Sequence, residues 1–82
     1  MNFQNVSIEC ETWQQMQELA KIAEGQGHKA TKWFTKDCFD DGDVYFEIMP
    51  DNDYNCFTLP TFPVITLTQF INQSDTPSVY GC

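Results

Sequence analysis

The sequence predicts an α+β fold of two layers: an antiparallel β-meander with an N-terminal strand, and two helices packed on one face, in the order β-α-β-β-β-α. Three observations carry this. One early stretch has helical periodicity with both a start and a stop signal. Three aromatic-rich runs follow, separated by Asp, Gly and Pro turn signals. A final apolar stripe opens on a second capping pattern. A chain of 82 residues is one domain. Residues 1–73 carry the periodic elements, and 74–82 read as a C-terminal tail.

In "NVSIEC", Val6, Ile8 and Cys10 alternate with polar neighbours, the period of a half-buried strand. In the next stretch Thr12 and Gln15 have capping-box spacing. Trp13, Met16, Leu19, Ala20 and Ala23 then share one helical face, and Gly25 and Gly27 supply the stop. A helix over 13–24 follows, with Trp13 opening its apolar stripe. "HKATKWFTKDCF" is extended in character, so a strand is expected there. "DDGD" interrupts, with Asp41-Gly42 as a favoured two-residue turn with φ > 0 at both centres. "VYFEIM" and "YNCFTL", separated by "PDND", complete the meander. Pro60 and Pro63 mark an extended connector that cannot donate to a ladder. "ITLTQFINQ" reads as a short helix, since Thr66 and Gln69 repeat the capping-box spacing. A strand over "VITLT" competes with it. Val79 and Tyr80 could dock the tail.

One face of such a sheet is expected to stay partly open. Trp33, Tyr45 and Phe57 alternate with Phe34, Phe46 and Cys56, so an aromatic patch is expected on that face. An exposed patch of that kind means a partner or a second copy in a homodimer.

The net charge is -8, with four Lys and no Arg. Lys21, Lys29, Lys32 and Lys36 balance Glu9, Glu11, Glu18 and Glu24 in the first 36 residues. The whole excess therefore belongs to the second half. Such a surface repels nucleic acid and anionic lipid, because phosphate binding needs Lys and Arg. Direct nucleic-acid and membrane binding are not expected. With no apolar run of spanning length and no basic-then-apolar leader, a cytoplasmic protein is expected. Cys10, Cys38 and Cys56 sit in apolar or strand-like stretches and read as reduced core thiols.

Metal and catalytic readings fail on spacing. With Gly42 at the glycine position of a calcium loop, the first ligand is Asp37. The third position is then Phe39 and the twelfth Ile48, neither of them a ligand. Cysteine and histidine show no paired zinc spacing. One His and scattered Cys give no nucleophile signature, and no phosphate-cradling loop is present. No cofactor and no enzymatic activity are expected.

What remains is an acidic, aromatic surface that meets a positively charged protein, itself one that binds nucleic acid if the carboxylates stand in for phosphates. Aromatic residues favour interface cores, and acids steer association from the rim. The candidate partner-binding residues are Asp40, Asp41, Asp43, Tyr45, Glu47, Asp51 and Asp53. The Asp residues fall in the two turns, with Tyr45 and Glu47 on the exposed side of the strand between them.

The layout of N-terminal strand and helix, a meander bearing "W…FD…YFE…C", and a closing "ITLTQFI" resembles the small accessory proteins of tailed bacteriophages. The resemblance covers most of the chain without a specific motif. It implies an acidic inhibitor of a host or defence protein, of the anti-CRISPR or DNA-mimic kind, acting in the host cytoplasm. The alternative is a small-molecule or nucleotide-binding sponge or sensor with its pocket at a subunit interface.

Overall fold

The computed structural model describes residues 3–73. Its fold is α+β, with four strands in a mixed sheet and three helices. The elements are β1 (Ser7–Glu9), α1 (Trp13–Gly25), α2 (Lys36–Asp40), β2 (Tyr45–Ile48), β3 (Tyr54–Phe57), β4 (Val64–Thr66) and α3 (Leu67–Gln73). The sheet order is β3-β2-β1-β4. β1, β2 and β3 are antiparallel neighbours, whereas β4 joins β1 in parallel and makes the sheet mixed. The expected tail and its Val79 and Tyr80 lie outside the described residues.

α1 starts where the capping pattern places it. Thr12 has extended backbone angles, and its hydroxyl accepts from the Gln15 N–H at 3.2 Å. The Gln15 side chain reaches back one residue further than a standard capping box, to the Glu11 N–H at 2.6 Å. The helix stops in a Schellman arrangement. The Gly27 N–H donates to the Glu24 carbonyl and the His28 N–H to that of Ala23, each at 3.0 Å. Gly27 takes the left-handed φ of +94° that this closure requires.

The stretch expected to be a strand, 28–39, is not one. It makes a single parallel bridge, Ala30 to Tyr54, and then turns into α2. Local chemistry explains the difference. The Thr35 hydroxyl accepts from the Cys38 N–H at 3.2 Å, Asp37 sits in the first turn, and Lys36 and Asp40 pair one turn apart. The aromatics of the stretch are satisfied by packing instead of a ladder. Phe34 lies 4.9 Å from Tyr54 and 5.1 Å from Trp13 between ring centroids, while Phe39 lies 6.0 Å from Trp13.

The Asp41-Gly42 hairpin turn is also replaced. Asp41 is the C-cap of α2 with φ −82°, and only Gly42 is left-handed, at +116°. Bonds from the Gly42 N–H to the Phe39 carbonyl and from the Asp43 N–H to that of Cys38 make a second Schellman closure. The β2–β3 connection is a hairpin. The Asn52 N–H closes on the Met49 carbonyl at 2.8 Å, and Asn52 itself is left-handed at +78°.

Both readings of "VITLTQF" hold in succession. Val64–Thr66 pairs with β1, and Thr66 then caps α3. Its hydroxyl accepts from the Gln69 N–H at 3.1 Å, and the Gln69 side chain accepts from the Thr66 N–H at 2.8 Å. This reciprocal pair is a complete capping box.

On the core face the register sets Ile65, Ile8, Phe46 and Cys56 in one row across all four strands. Met16, Leu19, Ala20 and Ala23 of α1, Tyr54 of β3, Phe70 of α3 and Phe3 join them in the buried cluster. Cys10 and Cys56 are buried in it, and Cys38 is half-buried at its margin.

Candidate partner-binding surface

The second face of the sheet carries Tyr45, Glu47, Asn55 and Phe57, because side chains alternate along a strand. It is less open than its alternation implies. Glu47 is only 3% exposed and Asn55 6%, and Ser7 beside them is buried. The connector 58–63 lies over this part of the face. The Thr61 N–H donates to the Glu47 carboxylate at 2.7 Å and the Phe62 N–H to the Ser7 hydroxyl at 3.0 Å. The Ser7 hydroxyl in turn donates to Glu47, and the Ser7 N–H to the Pro63 carbonyl at 3.1 Å. Glu47 is therefore a structural anchor and no part of a contact surface. The connector does not run extended as expected: it bends at 58–59 and again at 61–62, and the second bend brings the Thr61 and Phe62 amides onto the sheet's polar side chains.

The candidate Asp residues do gather at the two ends of β2. Asp40 and Asp41 end α2, and Asp43 precedes β2. Asp51 and Asp53 belong to the β2–β3 connection at the other end. At strand rise the four residues of β2 separate the two groups by about 13 Å along the strand. Asp40, Asp41 and Asp51 are exposed, while Asp43, Asp53 and Tyr45 are half-buried. Some of these carboxylates also have local duties. Asp43 accepts from the Thr58 hydroxyl, and Asp51 accepts from the Asp53 N–H at 3.2 Å. Lys36 bonds Asp40 at 2.9 Å, and that bond is the main cause raising the ammonium above its usual range. Both partners are well exposed, so the pair is screened and adds little to stability.

Tyr45 pairs with Phe57 across β2 and β3, so part of the expected aromatic patch exists in half-buried form. Trp33 is not on the sheet. It stands 58% exposed two residues before the α2 cap, with the Lys32 ammonium 4.7 Å from its ring centroid. It was absent from the expected contact set. Its signal is the "WF" step, in which Phe34 turns inward and leaves the larger ring in solvent. Leu59, at 78% exposed on the connector, is a second exposed apolar side chain.

Among the described residues no helix is long and apolar enough to cross a membrane. No family model, no curated protein and no solved structure matches the chain.

Proposed function

We propose that this chain is a small protein-binding module that engages a positively charged protein through the acids at the two ends of β2. The observation that supports it is the placement of Asp40 and Asp41 at one end and Asp51 at the other, all exposed. Two separated negative patches steer a basic partner and fix its orientation better than one would. Trp33, exposed beside the first patch, supplies the large apolar anchor that such interfaces use at their centre. Inhibition of a host or defence protein is the form of action that the resemblance to phage accessory proteins favours.

The test is a comparative capture from bacterial lysate. Wild-type protein is set against Asp40→Lys with Asp41→Lys, and against Trp33→Ala, with bound proteins identified by mass spectrometry. The reading requires a basic protein that wild type retains and both variants lose. Equal capture by all three forms would remove the acidic surface from the mechanism.

A further inference from the structure

A cleft of about 570 Å³ opens where the N-terminal segment, the end of α1 and the β2–β3 connection meet. Phe3, Asn5, His28, Met49, Asn52 and Phe62 are among the residues that line it. We propose that this cleft binds a neutral, planar, hydrogen-bonding heterocycle of the nucleobase type, a site separate from the acidic protein-binding surface and contained within one chain.

The volume is ample for a one- or two-ring molecule. Among the described residues the lining carries no Lys, Asp or Glu, although the chain is strongly acidic and Asp51 and Asp53 lie in the adjoining turn. A neutral lining selects a neutral ligand, and the acids beside it repel phosphate. A base or nucleoside therefore fits, and a nucleotide does not.

The apolar part of the lining suits the faces of a ring. Phe62 is half-buried and fixed by its N–H bond to Ser7, and Phe3 is buried against Phe46 and Phe70 at the base of the site. The polar part suits ring edges. Because a carbonyl only accepts, the 2.8 Å contact between His28 Nδ1 and the Asn52 carbonyl makes Nδ1 a donor. That bond fixes the ring plane, as does the edge-on contact with Phe3 at 6.0 Å between centroids. Nε2 is left as the nitrogen available to a ligand. Asn5 and Asn52 bring side-chain amides, groups that pair with a base through a donor and an acceptor together. Both residues are left-handed, at +58° and +78°. They are the non-glycine residues of positive φ among the described residues, and both line this one cleft.

The experiment is a ¹H–¹⁵N titration of the whole chain with adenine, guanosine, cytosine and uracil, and with AMP for comparison. At least one uncharged probe is expected to give saturable shifts centred on Asn5, His28 and Asn52. AMP is expected to bind about tenfold more weakly than adenine or not at all. Asn52→Gly retains the backbone conformation and the carbonyl that holds His28, so it removes only the side chain. It and Phe62→Ala are each expected to weaken binding about tenfold, the scale of one lost hydrogen bond or stack. The proposal is overturned if no uncharged probe gives saturable shifts at millimolar concentration, if the shifts fall elsewhere, or if AMP binds as tightly as adenine. It is equally overturned if Asn52→Gly, with its spectrum otherwise intact, binds like wild type.

Discussion

The Ser7 hydroxyl donates to the Glu47 carboxylate on the buried part of the sheet's second face, and the pair holds the connector 58–63 in place. Glu47→Ala leaves the Ser7 hydroxyl and the Thr61 N–H without their acceptor. Each unmet group costs about 1–3 kcal/mol, so a total loss of about 2–6 kcal/mol is expected in urea unfolding. Ser7→Ala with Glu47→Ala should cost less than the sum of the two single changes, because the residues share one network. Additive losses would show that the two act independently.

Gly25 and Gly27 lie two residues apart and should respond in opposite directions. Gly25 is the last residue of α1, with open space where a Cβ would go. Gly25→Ala should stabilise by about 0.5–1 kcal/mol through helix propensity and chain entropy. Gly27 has equally open surroundings but a φ of +94°, so Gly27→Ala should cost about 1–2 kcal/mol from backbone strain alone. Thermal midpoints of the two variants check this. A shift of both in the same direction would contradict the closure described for α1.

The protein should lose stability in alkali. Burial, reinforced by neighbouring Cys56, Glu18 and Glu9, pushes the Cys10 thiol up to about 12. Burial pushes Cys56 to about 11, with Asp43 the next contributor. Burial and then the bond to Glu24 at 2.5 Å also raise the Tyr54 phenol. A folded value above the unfolded one favours the protonated, neutral form in the native state. That contribution is complete below the unfolded thiol value of 9.0 and is lost as pH rises through about 11 to 12. Urea midpoints should therefore fall steadily between pH 9 and pH 11, a window set by those same values. Cys10→Ala should flatten the fall. A midpoint constant across that window would mean the thiols are accessible to water.

Much of the fold was legible because its signals are local. Thr12 with Gln15 and Thr66 with Gln69 placed two helices, and alternation with turn signals placed β1 as a strand and β2–β3 as a hairpin, whereas β1, and not 28–39, takes the place beside β2. The segment 28–39 misled because Trp33, Phe34 and Phe39 have strand-like composition. The cap at Thr35 and the Lys36–Asp40 pair, both helical signals, decide its conformation instead. Glu47 was misassigned for a different reason. Its position on the second face was read correctly, but its burial depends on a connector fourteen residues downstream. No periodicity carries that information. The acids at the ends of β2 were found because turns attract Asp, whatever further use the protein makes of them.

The association rate of the captured basic partner, measured across salt concentrations, tests the proposed function most directly. Wild type is compared with Asp40→Lys plus Asp41→Lys, and with Asp51→Asn plus Asp53→Asn. Asp43 is left in place to keep its bond to Thr58. Lysines at the C-terminal end of α2 suit the helix dipole, and asparagine at position 51 keeps an acceptor for the turn, so both variants should stay folded. Exposed charges are screened over about 8 Å at physiological ionic strength, so the wild-type rate should fall steeply as salt rises. Both variants should associate more slowly than wild type and respond less to salt. If both keep the wild-type rate and salt leaves it unchanged, the acids at the ends of β2 take no part in binding.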